Sequence, residues 1–175
     1  MNIPFIDIFA GPGGLGEGFS AFREKGKHPF NPDLSIEMEE KAHETLTLRS
    51  FYRQFRHNKI PVPAEYYEYL KGEISKEMLF ESYPEQAATA QDEAWRIELG
   101  GKGKRNHPDT VSDLIEEKLK KKNRRAKHWV LLGGPPCQAY SLVGRSRVGG
   151  IDPDDPRVGL YRHYLRILSR HKPSA

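Results

Sequence analysis

The first stretch of the chain restricts its fold most. Ile3 to Phe9 reads as a buried strand, Ala10-Gly11-Pro12-Gly13-Gly14-Leu15-Gly16 as a glycine-rich turn, and Glu17 to Lys25 as a helix. A short second strand at Leu34-Ser35-Ile36 and a helix over Glu39 to Leu48 complete a β-loop-α-β unit. Such a unit implies an α/β fold with a parallel sheet, because parallel strands need a crossover. Gly11, Gly13 and Gly16 have the spacing G-x-G-x-x-G between a strand and a helix. Glycines there let the backbone come close to a nucleotide-like ligand. Glu37 closes the second strand, where a carboxylate can bind both ribose hydroxyls. Phe9 precedes the glycines and could cover one face of an adenine; Met38 is a soft apolar side chain for the other face. On these residues a nicotinamide enzyme, a methyltransferase and a purely structural tight turn all stay open.

A second constraint lies around the only cysteine. His128 to Leu132 reads as an interior parallel strand that ends in Gly133-Gly134. Pro135 and Pro136 then stiffen the approach to Cys137. A thiol on a rigid turn at the carboxyl end of a strand stands where open α/β sheets place their active sites, and is a candidate nucleophile. The alternative is a small buried hydrophobe.

The rest of the chain supports one domain over residues 1–175, with 1–48 as a cofactor-binding unit. Residues 49–127 form a mostly helical insertion, 128–150 a catalytic strand and loop, and 151–175 a loop and C-terminal helix. In the insertion, Ala64 to Lys71 stops at Gly72, Ser75 caps a helix through Glu81, and Pro84 starts one that runs to Leu99. Leu160 to His171 reads as an amphipathic helix.

Residues 101–128 hold ten Lys/Arg against four Asp/Glu, a net of +6, leaving −2 elsewhere in a chain of net +4. A basic patch suits a polyanion such as nucleic acid. The same run also reads as a solvated amphipathic helix over 110–126, its early acids and late bases complementing the helix dipole. One cysteine excludes an internal disulfide and a cysteine-based zinc site, and fits a reducing, cytoplasmic compartment. No stretch reads as a membrane span, and no metal site is expected.

Taken together, three segments resemble one family. Phe5-Ile6-Asp7-Ile8-Phe9-Ala10-Gly11-Pro12-Gly13-Gly14-Leu15-Gly16-Glu17-Gly18-Phe19 resembles the first motif of the DNA cytosine-5 methyltransferases. Gly134-Pro135-Pro136-Cys137-Gln138-Ala139-Tyr140-Ser141 resembles their catalytic Pro-Cys-Gln motif, and Ser35-Ile36-Glu37-Met38 their ribose and adenine segment. The resemblance implies a partial Rossmann-like methyltransferase fold with S-adenosylmethionine as cofactor and double-stranded DNA as partner. Phe9 would stack on adenine, Ala10, Gly11, Gly13, Gly14 and Leu15 would surround the methionine part, and Glu37 would hold the ribose. Met38 would lie beside the adenine, and Pro136 would shape the thiol's turn. Cys137 would be the nucleophile, Gln138 and Ser141 would lie beside DNA, and Arg145 and Arg147 near its phosphates. Thiolate addition at cytosine C6 would make C5 able to accept a methyl group, on a base taken out of the duplex. The contrasting reading is a non-catalytic nucleotide-binding or interaction module that keeps the glycine loop.

The family's Glu-Asn-Val motif, its target-recognition region and its C-terminal motif have no counterpart in the sequence. The chain therefore reads as an N-terminal fragment, inactive alone. Its 128–132 strand is expected to become an open edge through which the fragment self-associates. Glu98 and Asp109 are the candidates for the acid that contacts adenine.

Overall fold

The computed structural model describes residues 3–121, 128–135 and 156–175. They form an α/β fold around a four-stranded, all-parallel sheet in the order β3-β2-β1-β4. Strand β1 (Ile3–Ile8) leads into α1 (Gly14–Ala21), then β2 (Phe30–Glu37) and α2 (Glu40–His57). The helices α3 (Ala64–Lys71), α4 (Lys76–Ser82) and α5 (Pro84–Glu93) follow, and then β3 (Ala94–Arg96). A single 3-10 turn precedes α6 (Pro108–Lys121), β4 (Val130–Leu132) and α7 (Pro156–His171).

The local chemistry accounts for these boundaries. Gly72 ends α3 with φ 77°, a conformation open to a residue without Cβ, and the Ser75 hydroxyl caps α4 by accepting from the Met78 N–H at 3.2 Å. The Glu39 carboxylate caps α2 in the same way, accepting from the Lys41 and Ala42 N–H groups. Four expectations are corrected. Helix α1 stops at Ala21 rather than Lys25, because Glu24 and Lys27 bridge across a tight turn at Lys25-Gly26, both with positive φ. Strand β2 is longer than Leu34–Ile36, since it tolerates Pro32 by a register shift, with Phe5 opposite Pro32 and Ile6 opposite Leu34. Helix α2 does not end at Leu48 but runs on to His57.

The fourth correction concerns the helix expected from Pro84 to Leu99. It ends at Glu93, and Ala94–Arg96 joins the sheet as β3. Trp95, Ile97 and Leu99 alternate with Arg96 and Glu98, which is a strand period. The segment 49–127 therefore contains a sheet strand and, in α6, a helix that covers the sheet, besides the cluster α3–α5.

Two cores result. Ile6, Ile8, Leu34, Ile36, Trp129 and Leu131 of the sheet pack on Val111 and Ile115 of α6 and on Ile167 of α7. A separate aromatic core joins the second half of α2 to α4 and α5, with Phe51 stacked on Phe80 at 5.0 Å and Phe55 edge-on to Tyr83. The acids of α6 do more than complement its dipole: Asp109 pairs with Arg166, and Asp113 with Arg170 at 2.5 Å, tying α6 to α7. Residues 122–126 of the expected 110–126 helix lie outside the described residues.

Strand β4 is the outer strand of the described sheet, but its edge is not bare. The Ser174 N–H donates to the Trp129 carbonyl, and the Leu131 N–H donates to an Ala175 oxygen, both at 2.8 Å. The edge expected to be open is thus partly covered by residues that follow α7. Among the described residues, no helix is long and apolar enough to cross a membrane.

Candidate functional site

The site begins where β1, β2 and β4 end. β1 is central and parallel to both neighbours, with Asp7 opposite Ser35 on one side and Leu132 on the other. The turn after β1 is therefore flanked by the turns after β2 and β4. The chain after β1 crosses to β2 while β4 lies on the opposite side, so this is the point at which sheet order reverses, the usual ligand crevice of such sheets.

Backbone geometry fixes the glycine loop. Phe9 has φ 59°, Gly11 56° and Gly13 86°. The Ala10 N–H donates to the Ile36 carbonyl at 3.0 Å, and the Gly13 N–H to the Ala10 carbonyl at 3.0 Å. A Cβ on Gly13 would come within 2.7 Å of the Leu46 side chain, so α2 packs directly on the loop. A Cβ on Gly11 or Gly14 would meet nothing within 4 Å, which leaves open space in front of them.

Glu37 holds the loop in place. One carboxylate oxygen accepts from the Gly11 N–H at 2.7 Å. The other accepts from the Met38 and Glu39 N–H groups at 2.9 and 2.7 Å. Phe9, Glu37 and Met38 come together with Ile8, Ile36, Ile97, Leu99 and Leu160 around a cavity of about 20 Å³. That is room for about one water, so a planar base would enter only by displacing a wall. Of these walls, Met38 is 52% exposed and Leu160 comes from α7. Leu15 is not part of this cluster. It is 52% exposed and lines an apolar groove with Phe19, Phe22 and Phe30 on the outer side of α1.

The chemistry here suits a nucleoside-bearing cofactor: a carboxylate at the end of β2, an aromatic ring beside it, and an open glycine backbone. Neither acid expected at the adenine lines that cavity. Asp109, on α6, is paired with Arg166 of α7, and the Glu98 side chain lies against Gly101.

On the other flank, Gly133 touches the end of β1. A Cβ there would lie 1.7 Å from the Ile8 carbonyl oxygen, and φ is 112°, so only glycine fits. Pro136, Cys137, Gln138, Ser141, Arg145 and Arg147 lie outside the described residues.

One residue with site-like properties escaped the sequence reading. Asp7 is 1% exposed within β1, and neither carboxylate oxygen has a hydrogen-bond partner among the described residues. Burial pushes its pKa from 3.8 up to about 6; the nearby Gly16 amide partly offsets this and the Glu37 charge adds to it. A Cβ on Gly16 would sit 3.2 Å from that carboxylate. The available signal was an acid inside an otherwise apolar strand just before a glycine loop. Among the described residues no cluster of His, Cys, Asp and Glu is suited to a metal ion.

A family model described as C-5 cytosine-specific DNA methylase matches residues 104–175. Type II methyltransferase M.Bpa9945I of Bacillus paralicheniformis is 36% identical over 183 aligned positions, covering 97% of this chain and 38% of that protein. Type II methyltransferase M1.HphI of Haemophilus parahaemolyticus is 23% identical, covering 99% of this chain and 31% of that protein. Over a shorter stretch, Type II methyltransferase M.NgoPII of Neisseria gonorrhoeae is 41% identical across 73 positions, 40% of this chain and 20% of that protein. The chain thus spans well under half the length of these relatives. No solved structure matches it.

Proposed function

The chain belongs to the C-5 cytosine-specific DNA methylase family, and on that premise we propose that it supplies the cofactor loop and the nucleophile of a DNA cytosine-5 methyltransferase. The relatives named as Type II methyltransferases point to a restriction-modification setting. The observation that carries the proposal is the contact between Gly133 and Ile8. It brings the turn after β4 against the turn after β1, so the segment leading to the thiol starts beside the glycine loop. Cys137 is four residues beyond Gly133, and four residues of chain reach at most about 14 Å. This supports a reading in which the nucleophile works at the glycine-loop end of the sheet.

S-adenosylmethionine, when bound, supplies an electrophilic methyl group. Phe9 and Met38 cover its adenine, Glu37 accepts from its ribose hydroxyls, and Gly11, Gly13 and Gly14 keep the backbone open toward its methionine part. To receive the ribose, Glu37 redirects a carboxylate oxygen from a backbone amide to the sugar. Pro136 shapes the turn that presents Cys137. The Cys137 thiolate adds to C6 of a cytosine drawn out of double-stranded DNA, forming an S–C6 bond and placing electron density on C5. Attack of C5 on the methyl group would break the cofactor's S–CH3 bond and release the demethylated cofactor; loss of the C5 proton to solvent, with expulsion of the Cys137 thiolate, would then restore the C5–C6 double bond. Gln138 and Ser141 border the DNA, and Arg145 and Arg147 meet phosphates.

Calorimetry with S-adenosylmethionine and its demethylated product tests the cofactor assignment. Saturable binding is expected, and Glu37→Ala should weaken it at least tenfold. Tighter binding of a nicotinamide dinucleotide would overturn the assignment and favour the contrasting nucleotide-binding module.

A further inference from the structure

A second concave site lies at the opposite end of the sheet. Glu17, Ser20, Arg23, His28, Arg53, Arg56 and His57 line a cavity of about 380 Å³, with Glu17 as its one carboxylate. Its position follows from topology. Ser20 is near the end of α1, and His28 lies two residues before β2. Arg53 lies thirteen residues along α2, roughly 20 Å from the carboxyl end of β2 at 1.5 Å per residue. The cavity thus extends toward the amino ends of the strands, and Glu17, the residue after the glycine loop, reaches its edge.

Its electrostatics are lopsided. Arg53 is 6% exposed and is held by Glu17 and Glu93, which fixes it as the floor. Arg23 and Arg56 are exposed and have no ion-pair partner among the described residues. The His28 and His57 rings stand 5.1 Å apart, and the His28 Nδ1–H donates to the Ser20 carbonyl at 2.9 Å. Two buried polar atoms beneath them, Ser20 Oγ and Arg53 Nε, have no hydrogen-bond partner among the described residues. Buried polar atoms are nearly always satisfied, so orphans under a cationic cavity point to a missing acceptor.

We propose that this cavity binds a phosphomonoester-type anion. Arg23 and Arg56 close on its oxygens, His28 and His57 donate to it, and the Ser20–Arg53 floor receives it. Guanidinium forks match tetrahedral oxyanions in geometry and charge. Burial and the neighbouring Arg53 and His28 charges hold the His57 pKa below its ordinary value; Glu17 and Glu93 neutralise Arg53, and an anion between Arg23 and Arg56 balances the two guanidinium groups that remain. The ligand is a free small anion, and the DNA arm of the test below separates it from a phosphate of DNA.

Titration calorimetry of the chain with inorganic phosphate at pH 7 and low ionic strength tests the site. One saturable event is expected. The double variant Arg23→Gln/Arg56→Gln should weaken it at least tenfold while leaving the thermal melt in phosphate-free buffer unchanged, since both side chains are exposed. Glu37→Ala should not affect it, which separates this result from the fate of the cofactor assignment. Equal phosphate binding by wild type and double variant, or no saturable binding, overturns the proposal. So does a short DNA duplex whose binding is lost in the double variant when phosphate itself does not bind.

Discussion

Asp7→Asn isolates the cost of one buried charge. The Asp7 carboxylate is enclosed in β1 without a hydrogen-bond partner among the described residues, and its pKa rises from 3.8 to about 6. The folded state therefore holds this proton more tightly than the unfolded chain does. Below the unfolded value both states are protonated and the fold carries no penalty. Between the two values the native state binds more protons, so stability falls as pH rises. Above about 6 both states are ionised and the penalty is constant. At about 1.4 kcal/mol per pH unit, the displacement corresponds to about 3 kcal/mol. Asparagine keeps the shape and removes the charge, so the variant should lack this dependence. Urea denaturation of both proteins at steps from acid to mildly alkaline pH measures the difference directly. The variant's advantage should grow from near zero in acid to about 3 kcal/mol above neutrality, less whatever its own unpaired amide costs. A stability difference that stays constant across that range would show that Asp7 does not titrate as its burial requires. A variant less stable than wild type above neutrality would refute the reasoning outright.

Other substitutions probe the remaining supports of the site. Gly133→Ala drives a methyl group into the Ile8 carbonyl and should destabilise the fold by about 3 kcal/mol or more, seen as a lower thermal midpoint. Arg53→Met removes the guanidinium shared by Glu17 and Glu93, and should cost about 3–5 kcal/mol in chemical denaturation, because a buried carboxylate loses its counter-charge. Cys137→Ser should abolish covalent capture of DNA containing 5-fluorocytosine by an active preparation, read on a denaturing gel; capture by the variant would remove Cys137 as nucleophile. Leu160→Ala should enlarge the cavity beside Phe9 and tighten binding of adenosine-bearing ligands in calorimetry, whereas unchanged affinity would mean that this wall does not limit entry.

The local code settled much of this protein. Apolar runs at Ile3–Ile8 and Val130–Leu132, the glycines between β1 and α1, and the stop and start signals at Gly72, Ser75 and Pro84 act over a few residues, so they are readable in order. The same applies to Glu37, whose place at the end of a strand follows from the β-loop-α-β pattern. Residues 94–99 resisted because the Pro84 helix signal was extended across an alternation that only becomes a strand when Ser35 to Glu37 offer it an edge. The 32–33 irregularity likewise depends on how β2 meets β1. Three features needed the assembled sheet. The Gly133–Ile8 contact exists because β4 lies beside β1, although about 120 residues separate them. Asp7 is perturbed because neighbouring strands and α1 exclude water from both of its oxygens. The Arg and His cluster converges because α1 and α2 both return to the amino end of the sheet. Sequence spacing encodes what a residue can do within its own element. Which residues of distant elements share a low-dielectric space is decided only by packing, and that decides their charges, their partners and the room left for a ligand.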